Sequence, residues 1–123
     1  MAVDGAPLFS VHHVNVVAGP GMVELTAEFW RSVFGLVEVE RQGRSGRPGA
    51  WLAGSGAEIH VSERGGLVHP DAHCAVIVES VASIAAAARA LGAEWIDAEP
   101  VMGSARGFTR DPAGNRIEVM QAI

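Results

Sequence analysis

The chain has 123 residues, 49% of them hydrophobic, which is enough for one compact core or for two small half-domains that share one. Its net charge of −5 and its scattered basic residues argue against a nucleic-acid partner. No apolar run reaches the ~20 residues of a membrane span, and the first ten residues carry Asp4 but none of the basic residues of a secretory signal. With a single cysteine, Cys74, in an apolar strand-like run, we expect a reducing, cytoplasmic setting.

The first half of the chain predicts a β-α-β-β-β order. Residues 11–18 are β-branched and apolar, as in a strand, and a helix with one broad apolar side follows over 22–34. Gly35 is placed to end that helix as a left-handed cap. Glycine-rich turns then separate three short predicted strands, at 36–41, 50–53 and 57–62.

The second half repeats that order. A strand is predicted over 72–78 and an alanine-rich helix over 81–91, capped by Ser80. Three further strands are predicted, at 94–98, 107–110 and 116–121.

The repeat divides the chain into two modules. We assign residues 1–64 to the first and 65–123 to the second, within one domain over 8–122. The segment 63–70 has no strand pattern and is expected to link the modules. The sequence therefore predicts an α+β fold of two βαβββ modules.

Four potential metal ligands share one strand phase. Side chains alternate between the two faces of a strand. If the apolar residues of a strand pack under a helix, the residues between them therefore lie on the opposite, helix-free face. His73 follows His13 by 60 positions and Glu118 follows His60 by 58. All four fall on the helix-free face, so internal symmetry predicts one site made of His13, His60, His73 and Glu118.

The donor types limit the metal. Imidazole nitrogens and a carboxylate suit Zn, Fe, Ni, Mn or Co, and four protein ligands leave one or two positions for substrate. Each histidine taken singly could instead be a structural residue. A one-residue slip would exchange His12 for His13, and only Val14 and Val16 as core residues favour His13. His69 is assigned to the linker.

Four segments carry a resemblance to a known superfamily: Val11-His12-His13-Val14-Asn15-Val16, Phe29-Trp30-Arg31-Ser32-Val33-Phe34-Gly35-Leu36, His73-Cys74-Ala75-Val76, and Asp111-Pro112-Ala113-Gly114-Asn115-Arg116-Ile117-Glu118-Val119. In these segments the chain resembles the vicinal oxygen chelate superfamily, which includes glyoxalase I, fosfomycin-resistance enzymes, extradiol dioxygenases and bleomycin-resistance proteins. The resemblance implies a curled, cup-shaped mixed sheet around a divalent metal, commonly in a homodimer that can exchange modules. It also implies ligands on the first and fourth strands of each module, which are the same four residues. Glyoxalase I enzymes usually carry a glutamate where this chain has His60.

The open site predicts an enzyme whose substrate chelates the metal through vicinal oxygens, with Glu118 as ligand and proton acceptor. A lyase or isomerase is one outcome. His13, His73 and Glu118 also match the two-histidine, one-carboxylate set of extradiol-type dioxygenases. Non-catalytic drug binding, as in bleomycin-resistance proteins, and an assembly subunit with a vestigial site are the alternatives.

Further residues are candidates for holding a small-molecule substrate. Three of them have competing structural interpretations: Trp51 as core, Arg110 as a surface partner of Asp111, and Met120 as packing. Arg106 is an equal alternative to Arg110, and Glu58 shares the face of His60. The predicted substrate-binding residues are Asn15, Trp51, Met102, Phe108, Arg110 and Met120.

Overall fold

The computed structural model describes residues 3–43 and 46–123, and it confirms the α+β fold. The first half forms β1 (His13–Ala18), α1 (Val23–Phe34), β2 (Val37–Val39), β3 (Gly49–Ala53) and β4 (Glu58–Glu63). The second half forms β5 (His73–Val78), α2 (Val81–Ala90), β6 (Trp95–Val101), β7 (Ser104–Arg110) and β8 (Arg116–Gln121).

Each half folds into a four-stranded sheet in which the first and fourth strands lie side by side. The strand orders are β1-β4-β3-β2 and β5-β8-β7-β6, with β1 parallel to β4 and β5 parallel to β8. The same register recurs, since Asn15 pairs with His60 and Ala75 with Glu118. In the part of the chain that the structure describes, β1 and β5 are edge strands, so neither sheet closes.

The helices pack on one side of the sheets and join the halves into one core. α1 contacts β3, β4 and α2, while α2 contacts β6, β7 and β8. Trp30, Leu52 and Ile117 are completely or almost completely buried in a single apolar cluster drawn from both halves. The other side of each sheet, hereafter the open face, carries the predicted ligands.

A buried hydrogen-bond network around Asp111 joins the second half to the first. The Asp111 carboxylate accepts from the indole of Trp30 at 3.1 Å and from the backbone N–H of Asn115 at 2.9 Å. The Asn115 side chain also donates to the carbonyl of Val17 in β1, at 2.9 Å. The turn between β7 and β8, residues 111–115, is thus also a junction between the modules, and the buried Asp111 is not the surface partner of Arg110.

The predicted caps are present. Gly35 has a φ of 73° and donates its N–H to the carbonyl of Arg31, and the Ser80 hydroxyl accepts from the N–H of Ser83. No helix among the described residues is long and apolar enough to cross a membrane.

Three strands differ from the predicted extent by three residues or more in total. β2 covers only Val37–Val39, because it pairs with β3 alone and over three positions. β6 continues past Pro100 after a register shift, which an edge strand tolerates because the missing N–H needs no partner there. β7 begins at Ser104, immediately after a tight turn in which Met102 (φ 53°) and Gly103 (φ 75°) are both left-handed.

Candidate metal centre

His73 and Glu118 lie together on the open face of the second sheet. His73 is on β5 and Glu118 on the neighbouring β8, and the His73 Nε2 and Glu118 Oε1 atoms are 3.2 Å apart. Both groups are accessible, with 34% and 15% of their side chains exposed. This nitrogen and oxygen therefore form an accessible donor pair.

The other ring nitrogen of His73 decides what this pair can do. His73 Nδ1 lies 2.8 Å from the carbonyl oxygen of Asp71, which can only accept a hydrogen bond, so Nδ1 carries a proton. In the neutral imidazole, Nε2 then presents a lone pair to the carboxylate of Glu118. Two electron-rich atoms at this distance require a positive charge between them, either a second proton on the imidazole or a metal cation. The residues present therefore fit a divalent metal.

Arg106 positions the carboxylate from its other side. The Arg106 Nε–H donates to Glu118 Oε2 at 2.7 Å, and the guanidinium also bonds the carbonyl of Glu99. The Arg106 hydrogen bond, helped by His73, lowers the pKa of Glu118 below its ordinary value. A carboxylate held ionised in this way is a better metal ligand and a weaker proton acceptor.

His13 and His60 lie together on the open face of the first sheet. Their rings stack with centroids 3.9 Å apart, and Trp51 stacks on the opposite side of His60 at 4.2 Å. His60 Nε2 contacts Glu58 Oε1 at 2.9 Å, which lowers the pKa of Glu58 and leaves Nδ1 as the free nitrogen of a neutral His60. His12 is close by, its Nδ1 being 2.9 Å from that of His13.

Each half of the chain thus places its two predicted ligands together. Among residues 3–43 and 46–123, however, no three or more His, Cys, Asp or Glu side chains come close enough to hold one metal ion. The two pairs remain separate half-sites on separate sheets.

The other predicted residues surround these half-sites unevenly. Asn15 accepts from the Ser62 hydroxyl on the first open face, and the ring of Phe108 lies 5.8 Å from that of His73. Met120 pairs in register with Ile77 and Arg106. Met102 lies outside this group, in the exposed β6–β7 turn.

Arg110 is held at one end of the second sheet. Its guanidinium donates to the carbonyls of Gly114 and Pro70, and its Nε lies 3.7 Å from a carboxylate oxygen of Glu94. Sequence reasoning missed Arg116, whose guanidinium lies 3.8 Å above the centre of the Phe108 ring. The signal was available, because Arg116 has the same strand phase as Glu118.

Two cavities lie away from the half-sites. One of about 310 Å³ is lined by α1, by the segment that follows α2 and by Arg110, and one of about 520 Å³ lies along the segment between the modules. None of the four predicted ligands lines either cavity. A substrate at the predicted metal ligands would therefore lie on an open sheet face of this chain.

Comparison with known proteins identifies the family. Residues 16–120 match the model of the glyoxalase-like domain, whereas no curated protein matches the chain in sequence. A glyoxalase family protein from Bacillus anthracis is 27% identical, with a TM-score of 0.83 over 96% of this chain and 98% of its own.

Two more distant structures share the fold. The fosfomycin resistance protein FosX from Listeria monocytogenes, solved with Mn(II) and a dihydroxypropylphosphonic acid, is 18% identical, with a TM-score of 0.74 over 99% of this chain and 95% of its own. TnmS3, an antibiotic-binding protein from Streptomyces, is 14% identical, with a TM-score of 0.74 over 96% of this chain and 99% of its own. With the family model spanning most of its length, this chain belongs to the glyoxalase-like domain family of the vicinal oxygen chelate superfamily.

Proposed function

We propose that this protein is a divalent-metal-dependent enzyme whose small substrate chelates the metal through vicinal oxygens. His13, His60, His73 and Glu118 are the proposed ligands, and the metal is Zn, Fe, Ni, Mn or Co. The observation that carries the proposal is the 3.2 Å separation of His73 Nε2 and Glu118 Oε1, with the other ring nitrogen of His73 on the carbonyl of Asp71. The reaction class is that of a lyase or isomerase, with an extradiol-type dioxygenase as the alternative.

The chemistry divides between the ion and the side chains. A bound divalent ion would act as a Lewis acid toward a developing enolate or alkoxide. Arg106 orients Glu118 and keeps it ionised, which supports the ligand role. Glu118 is also the proposed proton acceptor, a role that requires the Arg106 contact to weaken during the reaction.

We infer that a second copy of the chain completes the site. The two half-sites lie on different sheets, and both open faces expose apolar side chains, with Ile77 72% and Val37 64% exposed. β1 and β5 also offer unpaired edges. In a homodimer, the His13 and His60 face of one chain would cover the His73 and Glu118 face of the other.

The first experiment is metal analysis of purified variants. His73→Ala and Glu118→Ala are each expected to lose stoichiometric metal, because each removes a direct ligand. His69→Ala and Glu28→Ala, which lie in the linker and on the exposed side of α1, are the matched controls. Equal metal content in the ligand variants and the controls would overturn the proposed site.

A mixing experiment tests completion by a second copy. His13→Ala and His73→Ala each spoil every site in their own homodimer. When the two variants are refolded together in equal amounts, about half of the dimers contain one chain of each variant, and each mixed dimer holds one intact site and one doubly altered site. Metal content is therefore expected to return to about a quarter of the parent level. No recovery on mixing would place all ligands within one chain.

A non-catalytic binding protein is the second candidate. The stack of Trp51, His60 and His13 offers flat ring surfaces of the kind that bind planar ligands. Absence of stoichiometric metal, together with tight binding of an aromatic drug, would favour this role. In either case we propose a cytoplasmic protein, with Cys74 as a partly buried thiol whose pKa burial raises.

A further inference from the structure

Arg116 is an open-face cation without an acidic partner. In the part of the chain that the structure describes, no carboxylate lies within ion-pair distance of its guanidinium. The guanidinium lies over the face of the Phe108 ring, 3.8 Å from the ring centre. Stacking uses the flat side of the guanidinium, so its N–H groups remain directed outward in the plane.

The two neighbouring arginines on this face already have hydrogen-bond or ion-pair partners. Arg106 is bonded to Glu118, and Arg110 to two backbone carbonyls with Glu94 nearby. Arg116 is therefore the arginine of this face whose donors are available to a ligand.

The register places like charges against each other here. Arg116 pairs directly with Arg110 across β7 and β8, and like charges in that relation destabilise a sheet. With Arg106 added, this open face carries three cations against the two carboxylates of Glu118 and Glu94, although the whole chain has a net charge of −5. A bound anion would relieve the repulsion.

The corresponding position in the other half has the opposite charge. Glu58 stands two residues before His60 on β4, as Arg116 stands two residues before Glu118 on β8. The internal repeat therefore does not require an arginine at this place in the fold.

We propose that Arg116, supported on Phe108, binds the anionic group of the substrate, which is a small organic oxyanion bearing a carboxylate, phosphonate or phosphate. This rests on the proposed function, because it places the anion beside the metal ligand Glu118. Two residues along a strand span about 7 Å. The anionic group of such a substrate is then separated from its metal-chelating oxygens by only a few bonds.

Calorimetric titration with simple probes tests the subsite. Phenylphosphonate and benzoate are titrated into the parent protein, as purified and after metal removal, with benzamide as the neutral probe. Arg116→Gln is expected to lose about tenfold or more of its affinity for at least one anion, since a charge-assisted bidentate pair is removed. Arg89→Gln, which removes the same charge from the exposed end of α2, is the control and is expected to bind like the parent.

The outcomes distinguish a failure of the Arg116 subsite from a failure of the proposed metal site. A loss specific to Arg116→Gln and to the anions supports the proposal, and the anion that suffers the larger loss identifies the substrate group. Anion binding unchanged by Arg116→Gln, or a parent that binds neither anion more tightly than benzamide, overturns it. If Arg116→Gln does not fold, Arg116→Lys is tested in its place. Its affinity for the anion is expected to fall several-fold, because lysine lacks the planar guanidinium that binds an oxyanion through two parallel hydrogen bonds. Metal content measured on the as-purified samples tests the proposed function separately, since a parent that is purified without metal and still shows Arg116-dependent anion binding contradicts the metal-dependent enzyme but not the subsite.

Discussion

Replacement of Asp111 by alanine tests the junction between the two modules. Asp111 is 4% exposed, and its carboxylate accepts hydrogen bonds from three groups with no other acceptor in the described residues: the buried Trp30 indole, the buried Asn115 backbone N–H and the part-buried Ala113 backbone N–H. Each buried donor left unpaired costs about 1–3 kcal/mol. The substitution also removes the energetic cost of burying a carboxylate, which offsets part of that loss. We therefore expect the free energy of unfolding to fall by about 2–4 kcal/mol.

Urea unfolding measures this change. The midpoint should move down by about 1–2 M with an unchanged slope. A second aspartate–indole pair supplies the control, because Asp97 accepts from the Trp95 indole at 2.8 Å on an exposed surface. Asp97→Ala should cost less than about 1 kcal/mol, since water replaces the lost acceptor. If Asp111→Ala is no more damaging than Asp97→Ala, the buried network does not hold the modules together.

The same carboxylate makes stability depend on pH. Burial raises the pKa of Asp111, although hydrogen bonds from Asn115 and Trp30 oppose the effect. The Asp111 carboxyl therefore stays protonated up to a higher pH in the folded chain than in the unfolded chain, where the pKa of an aspartate is about 3.9. The contribution of Asp111 to stability must fall as the pH rises from about 3.9 through the raised pKa. Asp111→Asn should lack this fall, and identical pH profiles for the variant and the parent would contradict the reasoning.

Three further changes have expected outcomes. Arg106→Gln should weaken metal affinity about 10- to 100-fold in a competitive chelator titration, because Glu118 loses the group that orients it; unchanged affinity would remove Arg106 from the site. Gly107→Ala should destabilise by about 1–3 kcal/mol in urea, since an added Cβ would lie 2.3 Å from the Trp95 ring, and a neutral result would show that the ring moves freely. Thr26→Val should leave the thermal midpoint equal or higher, because the buried Thr26 hydroxyl has no hydrogen-bond partner among the residues that the structure describes, and a marked drop would reveal a hidden partner.

The sequence predicted what depends on local patterns. Strand alternation assigned His13, His60, His73 and Glu118 to the faces opposite the core, and Gly35 marked the end of α1. These features follow from the backbone of one element and the apolar residues beside it. The order of elements then predicted the α+β fold.

Features that depend on two distant elements were not predicted. Periodicity assigns a residue to a face, but it does not determine how the two sheets face each other, so the separation of the half-sites was not foreseen. The bond between Trp30 and Asp111 joins positions 81 apart, and no local signal indicates it. The strand predicted over 94–98 likewise continues to Val101, because β6 is an edge strand and tolerates Pro100, and the edge position was not known from the sequence.

The unequal halves explain why a duplicated fold can hold a site that is not symmetric. His13 and His73 occupy equivalent places, but the fourth strands differ, with His60 and Glu58 on β4 against Glu118 and Arg116 on β8. Two copies of the second open face would repel each other through their arginines, and two copies of the first would bring their histidines and their Glu58 carboxylates together. Opposite faces are complementary, since the acidic and aromatic first face can cover the cationic second face. In the proposed homodimer this complementarity would favour contact between unlike faces, the arrangement in which the proposed ligands of both half-sites would share one metal ion with the proposed Arg116 subsite beside it.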